Sequence, residues 1–485
     1  MRIALRILAV LAALIAAAVV ALWWIVWPPS PLPLPERGAV LDGVTLIEPG
    51  ISRRPSMRLV VEAQRIASVG ASDGGEPAGS YARMFVLPGL VDLHVHHPPR
   101  TLPGQSELFA LLHLAHGVTS VRDAGDTDGQ STAPARDGEA SGVFPGPRVF
   151  ACGPFVDGDP PQWRNALVAR TPEEGRAAVR KVAESGFDCV KAYNGLDADA
   201  LGAIRDEAKA RGLPVIGHVP RRVPLEDALL DDGQHLIGVP ERLSDPELPF
   251  PRSMVGWLAL DDARLDAVIA VSLANGLAQT PTLVTIDRLL AQENRAEVLR
   301  ERDAQLLPAF YRELIWSPEI GISSARDVDA ETFAMLRQAQ AAQLRTVKRL
   351  FDAGVELHTG TDALVAFIVP GASLHRELRL FVRAGLTPEQ ALALSTRASA
   401  RALRVDGLGE LRAGAPADLV VFRDDPTADL AALDSIEAVV RDGRLYTRAS
   451  LDERVRRRRA HHDSAAYNAL LDPLVRRALA TVRAR

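Results

Sequence analysis

Cysteine is almost absent: Cys152 and Cys189 are the two in 485 residues. A disulfide-stapled scaffold needs a denser set, so that class is excluded. The pair lies on strand-like segments expected to be neighbours, and buried free thiols are expected, because adjacent parallel strands rarely offer disulfide geometry. Nor does one sign of charge dominate. Lys and Arg number 56 against 61 Asp and Glu, a net −5, which gives no footing for nucleic acid. A Gly-rich phosphate loop is also missing, which weighs against a doubly wound nucleotide-binding sheet.

The chain does have one long apolar run. Arg2 and Arg6 precede Ile7 to Trp27, 21 residues without a charge. As a helix this run is about 32 Å long, enough to cross a bilayer core. Trp23, Trp24 and Trp27 cluster at its far end, where interfacial aromatics belong. An uncleaved, single-pass inner-membrane anchor is expected, with the body on the periplasmic or other extracytoplasmic side. A signal peptide cut near Ala16-Ala17-Ala18, leaving a secreted or periplasmic protein, is the competing reading. Pro28 to Pro35 (PPSPLPLP) then reads as a stiff extended spacer.

Five segments follow from the pattern: 1–35 anchor and linker, 36–87 β-rich, 88–404 strand–helix repeats, 405–449 β-rich again, and 450–485 a basic helical tail. In the repeats, the opening strand ends at His94 and His96, and further strand-like cores occur at Thr119–Val121, Arg148–Ala151, Asp188–Ala192, Pro214–Val219, His235–Ile237, Leu277–Val284 and Val355–Gly360. Eight strands alternating with helices predict an α/β fold, a (β/α)8 TIM-type barrel. The charged stretch 286–350 exceeds one connection and is expected to form a helical lid or extra hairpin. The flanking β-rich pieces are expected to join as a small discontinuous β-sandwich. From 451 to 485 there are nine arginines against four acidic residues, so the tail reads as a solvated helix or one packed near anionic lipid.

His94 and His96 stand two apart at the end of the first strand, so both side chains leave the same face, with Asp92 behind them. Two imidazoles and a carboxylate suit a borderline divalent cation such as zinc, although a strand ending in polar residues looks the same. Lys191, His218, His235 and Asp362 also fall at or near strand ends, where parallel barrels place functional side chains. Tyr193 shares the face of Lys191, as a substrate contact or a packing residue. His375 follows the eighth strand, as a partner for a substrate carboxylate or as a helix-capping or surface residue. His358 lies deeper and reads as a core histidine.

The segments P-G-L-V-D-L-H-V-H (88–96), G-V-T-S-V-R-D-A-G (117–125), C-V-K-A-Y (189–193), V-I-G-H-V-P (215–220), Gln234-His235 and T-G-T-D-A (359–363) resemble the metal-dependent amidohydrolase superfamily. The closest branch is the imidazolonepropionase-like and Xaa-Pro dipeptidase-like hydrolases. The likeness continues through 375–392 and 409–421. It implies two divalent metal ions, zinc among the candidates, with His94, His96 and Asp362 on one and His218 and His235 on the other. It also implies that Lys191, carboxylated by carbon dioxide, bridges them. Asp362 becomes the general base and then acid, and a metal-bridging hydroxide attacks a C–N bond of a small molecule: a dipeptide, an N-acyl amino acid or a cyclic amide. The family often has Glu where this chain has Gln234. Hydrolysis of a lactone or phosphotriester on the same centre, a mononuclear deaminase and a non-catalytic envelope scaffold are the competing functions.

Overall fold

Six consecutive buried residues, Leu-Val-Asp-Leu-His-Val, form the strand Leu90–Val95. A strand buried without alternation is covered on both faces, as parallel sheets are. In the computed structural model, which describes residues 2–72, 79–98, 104–140, 144–241, 250–323, 325–326 and 328–483, this strand pairs in parallel with Val118–Asp123. Val118–Asp123 pairs in turn with Arg148–Ala151. A second parallel set runs Phe155–Asp157, Val190–Ala192, Val215–Gly217, Asp232–Gln234, Ala278–Thr280, with Leu167–Val168 at its edge.

Backbone hydrogen bonds connect the two sets. On one side Asp188 N donates to Ala151 O (2.7 Å). On the other, the segment 356–363 touches both. His358 N donates to Gln279 O, Leu93 N to Thr359 O, and Thr361 N to His94 O. Helices such as Gln105–Ala115, Pro172–Glu184, Ala198–Ala210 and Asp262–Asn275 fill the crossovers. The alternation is α/β and of TIM-barrel type.

Three strands differ from expectation: the seventh, expected at 277–284, is Ala278–Thr280, and Val284 already begins a helix. The sixth is Asp232–Gln234, not 235–237, because His235 and Leu236 take left-handed φ values of 60° and 56° that no strand continues. The eighth, expected at 355–360, is reduced to isolated bridges at Leu357 and Ala363. The long insertion is helical, as expected: Val284–Ala291, short turns, then Ala330–Asp352. Asp329 caps the last by accepting from Thr332 N at 2.8 Å, a contact worth about 1 kcal/mol.

The β-rich ends join in one sheet, in the order Arg444–Thr447, Ile436–Arg441, Leu419–Phe422, Phe85–Pro88, Ala39–Glu48, Ser52–Glu62, Arg65–Ala71. Its two ends fold toward each other, Ile66 N donating to Ala415 O and Gly38 N to Gly443 O, around a shared core. Phe85–Pro88 pairs with Ala39–Glu48 on one edge and Leu419–Phe422 on the other, so the two chain ends are stitched side by side.

The cysteines also need correction: Cys152 and Cys189 form a disulfide. The ladder of Arg148–Ala151 stops one residue earlier, and Gly153 turns the chain with φ 68°. Cys152 therefore leaves regular register, and its Cα stands 4.4 Å from that of Cys189, between Ala124 and Ile216.

The N-terminal helix is Arg2–Val26, and its window Arg6–Val26 has a mean hydropathy of 2.7 and no buried residue. By length and composition it can cross a membrane. The Pro-rich stretch is no free spacer, since Arg454 donates to the carbonyls of Leu32 and Pro33 and Arg444 to that of Pro35. The basic tail is two helices, Arg448–His462 and Ala465–Arg483, and Arg454 and Arg458 in the first are buried rather than solvated.

Denatured protein purified without reductant is expected to take up no alkylating reagent, and two equivalents per chain after reduction. Mass spectrometry reads this directly, and two reactive thiols before reduction would contradict the bridge.

Candidate metal centre

The strand Leu90–Val95 supplies Asp92 and His94 from one face and leads to His96. Asp92 is fully buried and accepts from the Thr361 hydroxyl (2.7 Å), Thr361 N (3.1 Å) and His94 N (3.2 Å). Burial pushes its carboxyl up to about 7, against those hydrogen bonds. Its contacts tie the 359–363 segment to the histidine strand. Gly360 permits the close approach: a Cβ there would stand 2.7 Å from His94 Cβ and 2.5 Å from Thr280 Cγ2.

Asp362 follows, with φ 62°, and its carboxylate enters the centre. Oδ1 lies 3.4 Å from His94 Nε2 and 3.2 Å from His96 Nε2; Oδ2 lies 4.0 Å from His235 Nε2 and the residue borders the open cavity. Burial opposes this anion, but the His94, His96 and His235 imidazoles hold its carboxyl well below the usual range. His94 is itself driven well below its ordinary value, by burial first and then by Lys191.

The orientation of His96 tests whether a cation fits. Its Nδ1 lies 2.7 Å from Gly125 O, and a carbonyl only accepts, so that nitrogen carries a proton. In the neutral ring Nε2 is then a bare lone pair facing a carboxylate oxygen. Two acceptors at that distance repel unless a positive charge lies between them. His94, His96 and Asp362 offer ligand atoms all within 4.8 Å of one another, a donor set suited to a divalent metal.

Around this trio stand the other sequence candidates. Lys191, 1% exposed, donates to Gln234 Oε1, and burial pulls its ammonium down to about 7. His235 Nδ1 meets the Thr282 hydroxyl at 2.6 Å, and its ring lies 4.5 Å from that of His94 and 4.9 Å from that of His218. His218 Nδ1 meets Asn194 Oδ1 at 2.9 Å. Tyr193 tilts over the His218 ring at 4.4 Å, and burial pushes its phenol up to about 12, so it stays protonated. Tyr193, His218, His235 and Asp362 line one cavity of about 630 Å³.

His375 does not line that cavity. It sits buried on the helix Ala372–Ala384, its Nε2 donating to His116 O at 2.8 Å. The register of that helix turns it to the protein interior, and this corrects its reading as a substrate contact. His358 is a core residue beside Asp232 (3.5 Å) and Glu356 (3.6 Å).

Asn194 and Thr282 escaped sequence reading, although each directly follows or lies near a strand end. So did the ion pair beneath Lys191. Arg122 bonds Asp232 with both side chains buried, and Thr280 Oγ1 adds bonds of 2.8 and 2.9 Å to the same carboxylate. Burial opposes ionisation of Asp232, yet Arg122 holds its carboxyl well below the normal range. Arg122 Nε also bonds Leu93 O at 2.9 Å, beside His94. Arg122→Met is therefore expected to cost about 3–5 kcal/mol, because a buried charge loses its partner. Chemical denaturation measures this, and a cost below about 1 kcal/mol, the range of an exposed pair, would contradict the buried-pair role.

Residues 85–446 match the amidohydrolase family model. Imidazolonepropionase of Anaeromyxobacter sp. (strain K) is 34% identical over 110 residues, 21% of this chain and 25% of that enzyme, so the match spans a quarter of that relative's length. Bottromycin amidohydrolase superposes with a TM-score of 0.69 at 25% identity, over 88% of this chain and 91% of that one. A Xaa-Pro dipeptidase with methionine bound in its active site gives 0.62 at 20% identity, over 84% and 100%, a likeness of fold. The family match takes in the parallel strands, part of the small sheet and every histidine of the centre, so the chain belongs to the amidohydrolase family and is a hydrolase acting on carbon–nitrogen bonds.

Proposed function

We propose that this protein is a membrane-anchored, binuclear metal-dependent amidohydrolase that cleaves amide bonds in small molecules such as dipeptides, N-acyl amino acids or cyclic amides. The observation that supports it best is the bare Nε2 of His96 facing the Asp362 carboxylate at 3.2 Å. In this reading the strands form a closed (β/α)8 barrel. His94, His96 and Asp362 hold one divalent cation, taken as zinc, and His218 and His235 hold the second. Lys191 lies between the two groups. Its neutral amine adds carbon dioxide to give a carbamate and release a proton, which turns a cation into an anionic bridge. The cations, when bound, polarise the scissile carbonyl and acidify water.

The protein's own groups carry the proton. Asp362 Oδ1 is turned to His94 and His96, which leaves Oδ2, on the His235 side, to accept the proton of the attacking water. The same oxygen returns it to the leaving nitrogen as the C–N bond breaks. Tyr193, protonated at all physiological pH, is placed to donate to a substrate oxygen. Gln234 in place of a carboxylate gives Lys191 a neutral acceptor.

The helix Arg2–Val26 serves as the anchor, with the body outside the inner membrane. The Cys152–Cys189 disulfide supports that side, since disulfides persist in oxidising compartments.

Lys191→Ala is expected to lose the bridge and at least one metal equivalent, and Lys191→Arg to do no better despite its size. Short carboxylic acids added to the Ala variant restore part of the activity by supplying the missing oxygens. Intact-protein mass and metal content check this, and a fully loaded, active Lys191→Ala enzyme would overturn the bridge.

A further inference from the structure

The N-terminal helix leaves the body at a defined place. The helix Arg448–His462 lies antiparallel along Gln105–Ala115: Arg448 donates to Ala115 O (2.6 Å) at one end, and Arg458 pairs with Glu107 at the other. Gln105–Ala115 follows the strand Leu90–Val95, so its N-terminal end stands at the face of the sheet that carries His94 and His96. Pro28 and His462 both reach that end, packed against Gly104. Arg454 straps the Pro-rich stretch along the same helix. The last helix, Ala465–Arg483, packs beside the N-terminal helix and beside the turn Tyr311–Ile315 in the insertion, which also follows a strand's C-terminal end. The small sheet lies at the opposite pole, where Val420 packs on Gly117 just before the strand Val118–Asp123. The N-terminal helix therefore emerges at the rim of the catalytic face.

The cavity on that face has a polar floor and a mixed wall with one apolar stretch. His218, His235, Asp362, Tyr193 and Asn194 form the floor; Leu236, Ile237, Phe250, Met254, Trp257 and Ile286 form the apolar stretch, beside the polar Arg221, Glu241, Ser253, Thr285, Gln292 and Gln343. At the outer edge Phe250 is 50% exposed, with Val255 and Leu258 exposed on the adjoining turn Arg252–Leu258. A small polar substrate gives no reason for a wall of this kind running out to an exposed apolar lip. An amphiphile held in a bilayer does.

We propose that the catalytic mouth faces the bilayer holding the N-terminal helix and takes N-acyl amides with a long acyl chain and a polar, amino-acid-like amine. This rests on the amide-hydrolase reading above and narrows it. The acyl chain lies along the Phe250–Trp257 wall, and the amide carbonyl carbon stands over Asp362. Water adds its oxygen to that carbon, the C–N bond breaks, and the nitrogen leaves with the transferred proton. The products are a fatty acid retained in the membrane and a free amine released to water, with no redox partner needed.

The test uses the full chain, loaded with metal, in phosphatidylethanolamine–phosphatidylglycerol vesicles, and a series of N-acyl amino acids with acyl chains of about 2, 8 and 14 carbons. Burial of added methylenes predicts that kcat/KM rises at least about tenfold along the series. Phe250→Ser and Trp257→Ala are expected to shrink the long-to-short ratio. Inhibition of the unaltered enzyme by free fatty acids, rising with chain length, reads the same wall without any variant. A flat or falling series with chain-independent inhibition overturns the proposal while leaving the amide hydrolase intact. Failure to cleave any acylated amino acid while dipeptides are cleaved also overturns it. Absence of all C–N hydrolysis by the loaded enzyme overturns both readings.

Discussion

The Asp362 carboxylate sits among three imidazoles at the edge of the cavity, and much of the surrounding structure serves to keep it there. Burying an anion costs several kcal/mol unless it is compensated. Here the compensation comes from His94, His96 and His235, each reaching it with Nε2. The rings are held from behind: His96 by the Gly125 carbonyl and His235 by the Thr282 hydroxyl. Asp92 and Gly360 press the two strands that carry these groups together. The His96 ring commits its Nδ1 proton to the Gly125 carbonyl and turns Nε2 to the carboxylate, and with His94 alongside, this is a donor set that a divalent metal would satisfy.

The centre was legible in the sequence because strand periodicity converts spacing into direction. His94 and His96 at i and i+2 share a face, and Lys191, His218 and Asp362 sit where strands end, so five residues from four segments were traceable to one point. The failures share a cause as well. His235 was placed inside a strand, and the left-handed backbone at His235 and Leu236 leaves no hydrophobic signature. Arg122 and Asp232 lie 110 positions apart in a buried pair, and nothing local to either residue announces the other. His375 follows a strand in sequence, but the register of its helix points it at His116. The disulfide was missed because regular parallel geometry was assumed where Gly153 breaks it.

The proposed outward-facing placement links features that are remote in sequence. A disulfide between Cys152 and Cys189, an apolar helix at Arg2–Val26 and a tail that fastens residues 28–35 along the body would all suit the proposed membrane-held enzyme. The clamp matters most physically. A flexible tether leaves the mouth free to face any direction, whereas arginines fastened to the Leu32, Pro33 and Pro35 carbonyls fix it relative to the helix. Under the proposed anchoring, orientation, and with it the kind of molecule that reaches Asp362, would be set by contacts far from the chemistry.

All of this depends on the cluster being a metal site rather than a buried salt-bridge network. The most direct measurement is the divalent metal content of the full chain by elemental analysis, after chelator removal and reloading, alongside amide hydrolysis. Two equivalents per chain, with activity lost on removal and regained with the metal, is the expected result. Full activity with no bound metal would contradict it.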